Sequence, residues 1–103
     1  MSDWVEVIAV DGLANGENTV IEIEGTAIAV FKLDDNFYAI EDVCTHDGTE
    51  IASGRIEGDE IICSRHGARF CVKTGQVKSA PAYEAMRCFP TRIDAGKVFV
   101  KED

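Results

Sequence analysis

The chain has 103 residues, the size of one small domain, and residues 1–103 are expected to fold as that single unit. Nineteen acidic against ten basic residues leave a formal charge of -9, which excludes a nucleic-acid partner because phosphates would repel such a surface. No apolar run is long enough to cross a bilayer, and Met1-Ser2-Asp3-Trp4 lacks the basic-then-apolar pattern of a secretory signal, so a membrane partner is excluded and the expected compartment is the cytoplasm.

In that compartment thiols stay reduced, so the four cysteines read as metal ligands or buried thiols rather than as disulfides. A chain this short buries a limited core, and domains of this size are often held together with a metal's help. The acidity suits docking onto basic patches of protein partners, and it also suits plain solubility.

Trp4 to Val10 is rich in β-formers and reads as a strand. Residues 11–16 carry loop chemistry, with two glycines and an Asx group. Thr19 to Glu24 alternates, Ile21 and Ile23 on one face and Glu22 and Glu24 on the other. Gly25-Thr26 is a turn, and Ala27 to Leu33 is the returning strand. Asp34-Asp35-Asn36 turns again into Phe37-Tyr38-Ala39-Ile40. Residues 41–58 are polar and glycine-containing. Glu60 to Cys63 is a short apolar strand, and Arg69 to Lys73 returns from it to a turn at Thr74-Gly75. Lys78 to Tyr83 is a loop containing Pro81. Met86 to Ile93 and Lys97 to Lys101 form a last hairpin, in which Pro90 marks an edge strand or a bulge. No apolar stripe of period 3.6 appears. The expected fold class is all-β, a small antiparallel barrel or sandwich.

The chemistry concentrates in two boxes, Cys44-Thr45-His46 and Cys63-Ser64-Arg65-His66-Gly67, sixteen residues apart. Both histidines of the chain lie in them. One thiolate and one imidazole per box make a four-ligand metal site from Cys44, His46, Cys63 and His66. Such a set satisfies tetrahedral zinc. Zinc sites, however, usually take a Cys pair from one element and a His pair from another. One Cys and one His per box suits two irons about a cluster width apart, each box sending its Cys to one iron and its His to the other. That is the ligand set of a Rieske centre.

With those boxes in place the chain resembles the Rieske [2Fe–2S] ferredoxin family, in particular the ferredoxin components of bacterial ring-hydroxylating dioxygenase systems. The resemblance extends to Phe37-Tyr38-Ala39-Ile40 before the first box, to Gly67-Ala68-Arg69-Phe70 and Thr74-Gly75 after the second, and to Ser79-Ala80-Pro81-Ala82, similar to the proline loop that covers the cluster. It implies the Rieske fold, with a cluster-binding subdomain at about 42–76 whose loops sit on hairpin tips. It implies one [2Fe–2S] cluster, Cys44 and Cys63 on the inner iron and His46 and His66 on the outer, solvent-facing one.

Respiratory members of the family tie their boxes with a disulfide. The matching positions here are Thr49 and Arg65, so that bond is absent. They also place a Ser and a Tyr hydroxyl near the cluster, where this chain has Ala68 and Phe70, which cannot donate. Fewer donors stabilise the reduced centre less, and the expected potential is at the low end of the Rieske range, about -150 mV.

The remaining residues have plain readings. Cys71 and Cys88 read as small apolar core residues. Arg65 docks a partner carboxylate or is solvated. Asp47 adds negative charge to the docking face or turns the chain with Gly48. Trp4, Tyr38 and Tyr83 read as packing residues rather than electron relays.

The chain lacks the two further histidines that a mononuclear oxygenase iron needs, and it has no nucleotide- or flavin-binding glycine motif. It is expected to catalyse nothing itself and to bind no small-molecule substrate. The resemblance implies a one-electron carrier from a flavin-containing reductase to a terminal oxygenase of aromatic hydrocarbon catabolism. Alternatives are a small Rieske-like subunit of an assimilatory nitrite reductase, the ferredoxin component of a diiron monooxygenase, and a zinc-bound structural module.

Overall fold

The structure, a computed structural model, describes residues 4–43, 50–64, 67–79 and 85–101. Its strands are β1 (Trp4–Ala9), β2 (Asn18–Ile23), β3 (Thr26–Leu33), β4 (Asn36–Glu41), β5 (Arg55–Glu57), β6 (Glu60–Ile62), β7 (Arg69–Cys71), β8 (Val77–Ser79), β9 (Cys88–Phe89), β10 (Thr91–Asp94) and β11 (Lys97–Lys101). One 3-10 turn, Val10–Gly12, follows β1, and no α-helix occurs among the described residues. The all-β expectation holds.

Three antiparallel sheets form, in the orders β1-β11-β10, β2-β3-β4-β9 and β5-β6-β7-β8. Within the middle sheet β3 is buried on both faces, which explains its nearly continuous apolar run. Successive side chains on a strand point to opposite faces. Ile28 and Val30 accordingly enter one core with Leu13, Phe37, Ala39, Phe89, Val98 and Val100. Ala29, Phe31 and Leu33 enter the other with Ile40, Ile51, Ile61, Cys63, Ala68, Phe70, Val72 and Met86. The first core joins the middle sheet to β11, and the second joins it to the sheet that bears the second box. Lys32 runs along the first core. Its ammonium donates to the carbonyls of Leu13 at 3.0 Å and Val10 at 3.3 Å, over the Phe37 ring, so its stem is buried and its charge is satisfied.

The hairpin turns follow from backbone handedness. Glu24-Gly25, Asp34-Asp35 and Ala95-Gly96 hold their paired flanks in register, with φ positive at both central residues of each turn. That is the type I′ pattern, whose twist matches that of the strands.

Several expectations are corrected. The polar stretch 41–58 contains a strand, β5, which pairs Arg55 with Ile62. Three residues between Gly54 and Gly58 are too few to show a period. Lys78 and Ser79 belong to β8 rather than to a loop. The strand expected over Arg69 to Lys73 ends at Cys71, where 72–74 turn. Pro90 does more than mark an edge. It divides the expected strand Met86 to Ile93 into β9, which pairs with β4, and β10, which pairs with β11. Proline has no N–H for a ladder, so the chain changes sheets there. Thr91 Oγ1 donates to Phe37 O at 2.9 Å and stitches the crossing. Cys88 is exposed on β9, not in a core, whereas Cys71 is buried as expected. Neither takes part in a disulfide.

Candidate metal centre

Cys63 follows β6 directly and is 2% exposed. Its N–H donates to Ala68 O at 2.8 Å, and its own carbonyl accepts from Gly67 N–H at 3.1 Å. The chain therefore folds back tightly between Cys63 and β7. Gly67 sits at φ 77°, a conformation that a side chain would strain, which accounts for the glycine that closes the second box.

The flanks of the first box are tied together by one side chain. Asp42 Oδ1 accepts the N–H groups of Ile51 at 2.8 Å and Ala52 at 2.9 Å, while the Asp42 N–H donates to Ala27 O at 2.9 Å. Asn18 Nδ2 donates to Ala52 O at 2.9 Å from β2. Ile51 is fully buried and lies in the same core as Cys63 and Ala68. The chain on either side of Cys44 and His46 is thereby fastened to the core that holds Cys63.

Among the described residues, the side chains that share the buried core with Cys63 are apolar. Ala68 and Phe70 are buried and carry no hydroxyl, so neither side chain donates to a sulfur there. Across the same sheet, Arg69 Nη1 reaches Glu57 at 3.1 Å and Glu60 at 3.2 Å. These bonds, chiefly the one to Glu57, raise the Arg69 pKa. They are exposed and fasten the sheet weakly.

Cys44, His46 and His66 lie outside the described residues, as do Thr45, Asp47, Gly48, Thr49, Arg65, Ala80 to Glu84 and hence Pro81 and Tyr83. Among the described residues no group of three His, Cys, Asp or Glu side chains gathers as a rival metal site. Tyr38 packs against the second core, with Lys73 over its ring at 5.8 Å. Trp4 is half-buried under Arg92, whose guanidinium is 5.1 Å from the ring centre. Asp42, Asn18 and Gly54 were missed as supports of the site. The Asp two residues before Cys44 was the one local signal, whereas Asn18 acts from β2, thirty-four residues from its acceptor Ala52.

A buried thiol at the end of a short strand, packed in one core with Ala68 and Phe70, suits a soft, thiolate-preferring metal. Three antiparallel sheets, with such a thiol at the end of a strand of the third, define the all-β class of this protein. The chain belongs to the Rieske [2Fe–2S] domain family, whose model matches residues 3–90. Its cofactor is accordingly one Rieske-type [2Fe–2S] cluster. Along 98 residues it is 35% identical to the biphenyl dioxygenase ferredoxin subunit of Pseudomonas sp. (strain KKS102), covering 94% of this chain and 90% of the relative. It is similar to the ferredoxin of carbazole 1,9a-dioxygenase from Nocardioides aromaticivorans IC177, with TM-score 0.94, 28% identity and coverage of 99% and 100% of the two chains. It also matches a chain in a complex of reduced oxygenase and oxidized ferredoxin in carbazole 1,9a-dioxygenase, with TM-score 0.91, 33% identity and coverage of 95% and 92%. A putative NADH-dependent nitrite reductase small subunit from Mycobacterium tuberculosis, at 20% identity and TM-score 0.86 over 97% of this chain and 95% of its own, shares the fold alone.

Proposed function

We propose that this chain is the Rieske-type ferredoxin of an aromatic-ring dioxygenase system. It accepts one electron from a flavin-containing reductase and passes it to a terminal oxygenase, in the cytoplasm and without catalysis of its own. The observation that carries this reading is the match, over nearly the full length of both chains, to a protein seen in complex with an oxygenase. The nitrite reductase alternative has only the shared fold behind it.

In this reading Cys44 and Cys63 hold the inner iron, and His46 and His66 hold the outer one. The burial of Cys63 supports the inner assignment. When bound, the cluster supplies a one-electron site whose neutral imidazoles make reduction easier than at a four-thiolate cluster. The chain's own residues bury Cys63, and Ala68 and Phe70 beside it offer no hydroxyl to the sulfurs. The cluster-binding part is read as about 42–76 of a single domain, 1–103. The third sheet, which spans β5 to β8, supports that division.

The test is iron, acid-labile sulfide and zinc content of protein purified without oxygen, with an EPR spectrum after dithionite reduction. Two irons and two sulfides with a Rieske-type signal are expected. Zinc without sulfide would replace this reading with a structural zinc module. Partner assignment is tested by turnover of a ring-hydroxylating oxygenase with a flavin reductase, with and without this chain.

A further inference from the structure

We propose that Gly54 and Asp42 are positioning residues that set how far apart the two ligand boxes sit; this rests on the cluster reading above. The described flank of the first box at 50–54 runs into β5, whose Arg55 pairs with Ile62, and Gly54 lies close against the Ile62 carbonyl. Gly54 N–H donates to Ile51 O at 2.9 Å, closing a turn over 51–54. A methyl group built on Gly54 would overlap the carbonyl oxygen of Ile62, the residue before Cys63. The same methyl would lie 3.0 Å from the Ile62 carbonyl carbon and 3.1 Å from Ile51 O.

All three atoms are backbone, so no side chain can rotate away to make room. The overlap is relieved by moving the 51–54 turn and the Ile62 end of β6 apart. The turn is not free to move alone. Ile51 is locked in the core with Cys63, and the Ile51 and Ala52 N–H groups are held by Asp42. Any retreat of Gly54 is therefore transmitted to Asp42, two residues before Cys44. Among the described glycines only Gly75, against the Met86 carbonyl, makes a like backbone approach, whereas methyls added at Gly58 and Gly96 would meet nothing. The plain alternative is that Gly54 only lets β5 pair with β6. It predicts lost stability and an unchanged cluster.

The experiment uses the full-length, cluster-loaded chain and compares G54A, D42A, D42N and I28V. Ile28 lies in the core that contains neither box. Each protein is read by EPR g-values and midpoint potential, by the rate of iron loss to a chelator, and by thermal unfolding. G54A and D42A are expected to shift the g-values and lose iron faster. D42N keeps an oxygen that can accept both N–H groups and should keep wild-type g-values. I28V should lower the unfolding temperature with no spectral change.

If G54A and D42A unfold earlier but keep wild-type g-values and iron-loss rates, the proposal is overturned. A D42N shift equal to that of D42A would assign the effect to lost charge and overturn it too. Should G54A be recovered only as aggregate, the comparison of D42A with D42N decides. A wild-type chain without a Rieske signal would instead overturn the functional reading, and the proposal with it.

Discussion

Three cysteines with three environments give the residue-scale test. Cys63→Ala removes a proposed ligand, and iron and sulfide should be lost. Cys88→Ser alters an exposed thiol on β9 and should leave iron content, EPR and stability as in the wild type. Cys71→Ser puts a hydroxyl at a buried site, 7% exposed, and should cost about 1–3 kcal/mol while the cluster is retained. Metal analysis and urea denaturation separate the three outcomes. Ala95 offers a gain. It sits at φ 51° in a type I′ turn, where alanine is strained and Asn-Gly is the favoured pair. Ala95→Asn should stabilise by about 0.5–1 kcal/mol, seen as a higher denaturant midpoint at unchanged slope. Ala68 and Phe70 set a further expectation. With no hydroxyl at these two positions the reduced centre is less stabilised, and a redox titration should give about -150 mV. A clearly positive potential would show that other donors replace them.

At the scale of elements, β3 divides the protein's stability from its chemistry. Ile28 and Phe31 are both fully buried, on opposite faces of that strand. Phe31→Ala opens a cavity in the core shared with Cys63. It should cost about 3–5 kcal/mol and weaken cluster retention. Ile28→Val should cost about 0.5–1.5 kcal/mol in the other core and leave the EPR signal unchanged. Denaturant midpoints and iron content measured on the same samples check both. Equal iron loss in the two variants would mean that the cores are coupled rather than layered. The division at Pro90 works at this scale too, because one proline lets a single stretch of chain close two different sheets.

For the molecule as a whole, the formal charge of -9 sets the expectation for how it meets the partners proposed above. Fifteen of the nineteen acidic residues, but only two of the ten basic ones, lie in residues 1–62. That distribution favours steering onto basic partner surfaces. Electron delivery to an oxygenase should therefore slow as ionic strength rises from about 0.01 to 0.15 M, where the screening length falls from about 30 to 8 Å. Stopped-flow oxidation of the reduced chain across that range measures the effect. A rate independent of salt would show that docking is not electrostatically steered.

The sequence by itself determined the fold class, the meander from β2 to β4 and the candidate ligand set. Alternating apolar residues, turn residues at short intervals and the strict pairing of one Cys with one His per box are all local signals. It also marked Pro90 as an edge or bulge position, because a missing N–H is a property of the residue alone, but not as the point where the strand divides. What only the tertiary structure decided was where the broken strand goes, that β5 and β8 exist, and which residues hold the boxes' flanks. Strands of three residues show no period, so partners rather than pattern make them strands. Asn18 and Asp42 reach the 51–52 backbone from β2 and from the end of β4. Gly54 is defined by what it must not touch. Such roles depend on two segments arriving at one place, and neither segment encodes the meeting alone.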